Sequence, residues 1–173
     1  DELDDDARRL GAVNLVLLRD GRRIGYNTDW LGFRDGLKDG LPDASLERVV
    51  QLGCGGAGAA TAYAVLACGA AELRVADVDD ARAERLADEL RRLFPAALVE
   101  AIRFADIDRS LAEASGVVHA TPVGMAHHPG VAFDVGVLRP GTWVSDVVYR
   151  PLETELIRRA AESGLSVLDG AGW

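Results

Sequence analysis

Cysteine, methionine and lysine are nearly absent: the 173 residues hold two cysteines, one methionine and, at position 38, a single lysine. Cys54 and Cys68 do not form the spaced pairs that bind zinc or build a disulfide framework, and His127 and His128 are adjacent rather than set at ligand spacing. No metal site is expected. Basic charge is scarce as well. Nineteen Lys and Arg face 28 Asp and Glu, a net charge of −9, which argues against the basic face that a nucleic acid or an anionic membrane requires. No apolar run reaches the ~18 residues of a transmembrane helix. The opening Asp1-Glu-Leu-Asp-Asp-Asp6 is the opposite of a signal peptide's cationic start. A reducing cytoplasm is the expected compartment. Internal repeats and low-complexity tracts are also missing.

Apolar residues, by contrast, make up 49% of the chain, ample for a packed core. The most informative stretch is Arg48-Val-Val-Gln-Leu-Gly-Cys-Gly-Gly-Ala-Gly58, followed by Leu73-Arg-Val-Ala-Asp77. It reads as a strand, a glycine turn, a helix and a second strand ending in an acid. Gly53, Gly55 and Gly58 fit G-x-G-x-x-G: the first permits a tight turn, the second a close approach of backbone to a pyrophosphate, the third close packing of helix on sheet. The helix that follows, opened by Gly56 and Ala57, aims its N-terminal N–H groups and dipole at the phosphates. Asp77 lies 19 residues beyond Gly58, where a carboxylate accepts the hydroxyls of an adenosine ribose. A dinucleotide site is expected. The plainer alternatives are a tight turn that binds nothing, and an Asp77 that merely ends a solvated strand. Cys54 inside the turn reads as a small spacer rather than a reactive thiol, having no His or Lys near it in sequence.

The rest of the chain supports the same architecture. Residues 1–10 read as the tail of a helix, and 11–27 as a hairpin turning at Asp20-Gly21. Thr28 or Asp29 is expected to N-cap a helix over 30–38. Beyond Gly40-Leu-Pro-Asp43, strands at 49–53, 72–77, 98–103, 117–120, 143–147 and 166–168 alternate with helices at 57–68, 81–93, 107–113 and 154–162. That rhythm predicts an α/β fold: a Rossmann-type, doubly wound parallel sheet whose ligand sits at the carboxyl edge of the strands. The expected division is 1–30 as the remnant of a further domain, 31–46 as a connecting helix and linker, and 47–173 as the dinucleotide-binding domain. A two-stranded hairpin is marginal without further partners, so the chain is expected to start inside a larger protein.

Gly11-Ala-Val-Asn14, Tyr26-Asn-Thr-Asp29 with Gly32-Phe33, the glycine turn, Ala120-Thr-Pro-Val-Gly-Met125, Asp146-Val-Val-Tyr-Arg-Pro151 with Glu153-Thr154, and Asp169-Gly170 follow one another in an order and spacing that resemble the shikimate dehydrogenase family. Val75-Ala-Asp-Val-Asp79 and His128-Pro-Gly-Val-Ala-Phe-Asp134 look closer to its NAD-using quinate/shikimate branch. The resemblance implies reversible oxidation of the C3 hydroxyl of shikimate or quinate, with hydride passing to nicotinamide. It implies that Asp29 flanks that hydroxyl, that Asn14 and Tyr149 contact substrate, and that a lysine elsewhere shares the acid–base work. Lys38 does not match that lysine by motif, and the family's serine pair has no counterpart here. The usual Met after Asp-Gly is not evident either, since Trp173 falls near its place. The alternative is a nucleotide-binding or regulatory module without catalysis. Another two-domain dehydrogenase, such as a methylene-tetrahydrofolate dehydrogenase, is disfavoured by the Asn-Thr-Asp and Val-Val-Tyr contexts.

Several residues carry two readings. Asp29 is a helix cap, a hydroxyl contact, or both. Asn14 is a turn residue or a donor–acceptor for a ring hydroxyl. Tyr149 is a half-buried tyrosine or a substrate contact. Arg82 stacks on adenine, pairs with Asp77, or decorates a helix face. His119, where the family usually has Asn, reads as structural. Thr121, Pro122 and Val123 follow a strand at the ligand edge and are expected to border the nicotinamide half; Val148 and Gly170 join the expected cofactor contacts. NADP-using members typically carry Asn-Arg-Thr at the turn occupied here by Asp77, Asp79 and Asp80. A 2′-phosphate ~4 Å from one such carboxylate is repelled by roughly 1–4 kcal/mol, which favours NAD over NADP. The expected partner is a small molecule, shikimate or quinate, with no nucleic acid or membrane, and a homodimer is one assembly open to it.

Overall fold

The computed structural model describes residues 1–171; the expectation placed on Trp173 lies outside them. Two sheets are present. The smaller consists of β1 (Glu2–Leu3), β2 (Leu15–Arg19) and β3 (Arg22–Tyr26) in the order β1-β3-β2, with β1 parallel and β2 antiparallel to β3. Asp20 and Gly21 close the hairpin with φ of 51° and 75°. Positive φ at both central residues is the two-residue turn whose twist matches the strands. Only part of the first ten residues is helical: α1 covers Asp5–Leu10, capped by the Asp4 side chain, and β1 precedes it.

Helix α2 (Asp29–Gly40) begins at Asp29. The expectation of a side-chain cap is therefore corrected. Thr28 occupies the cap position but its side chain makes no capping bond, and Asp29 is already the first helical residue. The Thr28 hydroxyl is engaged instead by Asn14, whose Nδ2 donates to it at 3.0 Å. Trp30, Phe33 and Leu37 of α2 are buried, and the Trp30 ring meets Tyr63 edge-on at 5.1 Å.

The larger sheet is entirely parallel. Its strands are β4 (Arg48–Leu52), β5 (Glu72–Ala76), β6 (Leu98–Ala101), β7 (Gly116–His119), β8 (Trp143–Asp146) and β9 (Ser166–Leu168). The spatial order is β6-β5-β4-β7-β8-β9. The chain winds outward from β4 to β6, then crosses back to β7 on the other side of β4. The order reverses between β4 and β7, and a crevice at the carboxyl ends of the strands follows from that reversal. The helices are α3 (Gly56–Ala67), α4 (Asp80–Leu93), α5 (Ile107–Leu111) after a 3-10 turn at Phe104–Asp106, and α6 (Glu155–Glu162).

Both faces of this sheet are covered. Val49, Leu73, Val75 and Val118 join α2, α3 and α4 in one buried cluster. Val50, Leu52, Ala76, Val117 and Val144 join α5 and α6 in another. Successive residues of one strand thus fall on opposite faces, the period-2 alternation of a sheet buried on both sides. The linker before β4 is pinned by the buried Trp143, whose indole N–H donates to the Ser45 carbonyl at 2.9 Å.

Candidate functional site

The larger sheet sends its carboxyl ends to one edge, and the glycine turn sits there. Gly53 turns the chain with φ of 96°, and a Cβ on it would lie 2.4 Å from the Ala120 carbonyl oxygen. A Cβ on Gly58 would lie 2.2 Å from the Gly53 carbonyl oxygen, whereas one on Gly55 would meet nothing within 4 Å. Gly53 and Gly58 are therefore demanded by packing, while Gly55 leaves an opening. That opening faces the N-terminus of α3, which has no side-chain cap, so its first N–H groups and dipole are free for an anion. Gly56 and Ala57 form the first helical positions.

Two buried side chains brace this turn, and neither was singled out from sequence. Gln51 Nε2 donates to the carbonyls of Gly53 (3.0 Å) and Gly58 (2.7 Å), and its Oε1 accepts the Thr61 hydroxyl at 2.9 Å. The signal was available: an amide in the otherwise apolar strand Val49-Val-Gln-Leu52 needs partners when buried.

Asp77 follows β5 directly and is only 6% exposed, so it is not a solvated strand end. Its Oδ2 accepts the Cys54 N–H at 2.9 Å and its Oδ1 accepts the Asp79 N–H at 3.0 Å. It ties the glycine turn to the turn after β5. Arg82 lies beside it, Nη1 to Oδ2 at 3.6 Å. The Asp79 side chain caps α4, and Val78 between the two acids is 84% exposed. Burial, with the Asp77 charge adding to it, pushes the Cys54 thiol up to about 12, which leaves it a neutral spacer at neutral pH.

Two cavities open along the strand edge. One, of about 460 Å³, is lined by Gly53, Gly55, Asp77, Val78 and Arg82 on one side and by Phe104, Val123, Val131 and Ala132 on the other. The second, of about 730 Å³, is lined by Asp29, Ala57, Met125, Val147, Val148, Tyr149, Leu152, Gly170 and Ala171. Ala120, Thr121 and Pro122 line both. Together they form a bilobed groove with a common wall. Gly170 lies against β8's exit: a Cβ there would be 2.5 Å from the Val148 carbonyl oxygen.

Asp29 brings the small sheet to the second lobe. Asn14 is not among the residues lining that lobe but holds Asp29, its Nδ2 donating to Asp29 Oδ1 in a short hydrogen bond while its Oδ1 accepts the Thr28 N–H at 2.9 Å. Tyr149 is 58% exposed at the rim, with no hydroxyl partner among the described residues; the half-buried tyrosine is not what the fold produces. The guanidinium of Arg150 lies 5.8 Å from its ring centre. Lys38 sits in the last turn of α2 and lines neither lobe.

Behind the common wall runs a buried polar chain. The ring of His119, wholly buried, has Nδ1 at 2.9 Å from Asp146 Oδ1 and Nε2 at 2.6 Å from the Thr121 hydroxyl. Asp146 Oδ1 also accepts the Val148 N–H at 3.0 Å, and its Oδ2 accepts the Thr154 hydroxyl at 2.7 Å. Thr121 Oγ1 accepts the Val123 N–H at 3.2 Å. Asp146 and Thr154 were legible only as members of a motif, because their pairing joins β8 to the N-cap of α6.

No family model matches the chain. Among individual proteins, it is 54% identical over 170 residues to a shikimate dehydrogenase (NADP(+)) of Pseudarthrobacter chlorophenolicus, covering 98% of this chain and 58% of that protein. It is 48% identical over 171 residues to a quinate/shikimate dehydrogenase (NAD(+)) of Corynebacterium efficiens, covering 98% of this chain and 60% of the relative. Its fold matches the quinate dehydrogenase of Corynebacterium glutamicum in complex with NAD, with a TM-score of 0.94, 46% identity and coverage of 99% of this chain and 61% of the other. The chain thus spans about three fifths of the length of these relatives.

Proposed function

We propose, for a chain that belongs to the shikimate/quinate dehydrogenase family along the span it shares with those enzymes, that it is the NAD-binding part of an oxidoreductase interconverting shikimate or quinate with its 3-dehydro form. The observation that carries this reading is the bilobed groove. One lobe holds an open glycine turn and a buried acid, the other a carboxylate and an exposed tyrosine, and both share the wall at Ala120–Pro122.

The residues fit a dinucleotide. Gly55, Gly56 and Ala57 offer a pyrophosphate an uncapped helix end with no side chain in the way at Gly55. Asp77 is fixed by two backbone donors, which leaves its remaining lone pairs for ribose hydroxyls. The other lobe takes the nicotinamide half beside Thr121, Pro122, Val148 and Gly170. Nicotinamide, when bound, supplies the hydride acceptor or donor. Asp29 then orients the substrate hydroxyl and takes part in moving its proton, with Asn14 fixing the carboxylate. Tyr149 presents an unengaged hydroxyl to a polyhydroxylated ring acid.

NAD is favoured over NADP. Asp77 lines the lobe and Asp79 caps the next helix, the intervening Val78 supplies no cation, and the nearby Arg82 is already shared between the two acids at 3.6 and 3.9 Å. Relatives of both preferences are similar to the chain, so the argument rests on these side chains. Calorimetric titration tests it. NAD is expected to bind more tightly than NADP by about tenfold or more. Asp77→Asn keeps an acceptor for the Cys54 N–H but removes the charge, and is expected to narrow that ratio. Equal affinities in the native chain would refute the preference.

A second reading is a nucleotide-binding module without catalysis. The observation favouring it is that no lysine lines either lobe. In the full-length protein, NAD binding with no turnover of either substrate supports the module; reduction of NAD by shikimate or quinate rules it out.

A further inference from the structure

The buried chain behind the common wall has a proton arrangement that can be worked out from its partners. Asp146 receives donors at both oxygens, from Val148 N–H and from the Thr154 hydroxyl, so the imidazole Nδ1 of His119 at 2.9 Å donates to it as well. If the ring is neutral with its proton on Nδ1, Nε2 has only a lone pair. The hydroxyl 2.6 Å away, that of Thr121, must then give its own proton to Nε2. One of the two lone pairs of Thr121 Oγ1 is taken by the Val123 N–H at 3.2 Å. One lone pair remains on Oγ1, and Thr121 is a residue that lines both lobes. A free threonine hydroxyl offers a ligand either a donor or an acceptor; this one offers an acceptor alone.

We propose that His119 is a positioning residue that, held by Asp146, fixes Thr121 as a dedicated hydrogen-bond acceptor for a donor group on the nicotinamide-riboside half of the cofactor. The inference rests on the dinucleotide reading of the groove. Two donors belong to that half, a ribose hydroxyl and the carboxamide N–H, and one of them meets the lone pair. The device also carries a cost for a wrong occupant: a group with only lone pairs meets oxygen against oxygen, and Thr121 cannot turn its proton outward without leaving His119 Nε2 unpaired in a buried site.

The test is calorimetric titration of the whole chain with NAD, ADP-ribose and ADP. Thr121→Val and His119→Phe, the latter removing the acceptor for the Thr121 proton, are each expected to weaken NAD by about five- to tenfold and to leave ADP within about twofold. Thr121→Ser is expected to restore NAD binding. A loss shared by ADP-ribose identifies the ribose hydroxyl as the donor; a loss confined to NAD identifies the carboxamide. The 15N spectrum of the His119 ring is expected to show the proton on Nδ1. Unchanged NAD affinity in both variants, an equal loss with ADP, or a proton resting on Nε2 overturns the proposal. If the native chain binds neither ADP nor NAD, the dinucleotide reading fails and takes this inference with it.

Discussion

At the scale of single residues, the glycine turn is limited by distances that tolerate no addition. A methyl group on Gly58 would sit 2.2 Å from the Gly53 carbonyl oxygen, so Gly58→Ala must push α3 away from β4. The expected cost is about 1–3 kcal/mol, read by urea denaturation, together with loss of NAD binding; an unchanged midpoint would show that the turn can relax. Gln51→Leu strips the partner from two buried carbonyls and from Thr61, each unpaired group costing about 1–3 kcal/mol, and is expected to unfold the protein at a lower urea concentration. Cys54 gives a pH signature. Its folded value of about 12 stands above the ordinary 9.0, so the folded state keeps a proton that the unfolded state releases. Its contribution is complete below pH 9.0 and is lost as pH rises toward about 12. Cys54→Ala is expected to flatten the fall in stability across that window, and a slope identical to the native protein's would contradict the assignment.

At the scale of elements, strands and helices with strong periodicity were legible, and their ends less so. The strand at Ser166–Leu168 was read with its observed bounds, being a short apolar run between a glycine turn and an acid. Strands read through to Gly53, Asp77 and Ala120 stop one residue earlier, because a ligand edge trades ladder bonds for turn geometry. β1 carried no signal, since two residues cannot show alternation and its pairing with β3 is non-local. Thr28 was legible as the cap residue, but its hydroxyl makes no capping bond and is engaged instead by a distant side chain, Asn14. The hairpin turn offers an element-level prediction. Gly21→Val introduces a β-branched residue at φ 75°, and is expected to speed amide exchange across β2 and β3 while leaving β4 and β7 protected; uniform exchange across both sheets would show instead that the two unfold together.

At the scale of the whole molecule, the reversal of strand order between β4 and β7 decides where a ligand goes, and alternating strands and helices made that edge readable. The positions of Asp77 and Thr121 along it followed from the same rhythm, whereas Val148 and Gly170 were placed by the family resemblance. The outer walls of the groove did not. Met125, Val131, Ala132 and Leu152 come from loops whose paths obey no period and are set by packing against the finished sheet. The buried link from His119 to Thr154 joins residues 35 positions apart, beyond any local pattern.

The common wall at Ala120–Pro122 also bears on how affinity accumulates. Two mononucleotides filling the lobes separately would each surrender their freedom of translation, whereas one dinucleotide surrenders it once. The second half then arrives at an effective concentration of roughly millimolar or more, set by the short pyrophosphate tether. NAD is therefore expected to bind far more tightly than AMP and nicotinamide mononucleotide do in mixture. Adjacent lobes reward a joined molecule over its pieces, and the chain would discriminate against cofactor breakdown products without a single contact devoted to rejecting them.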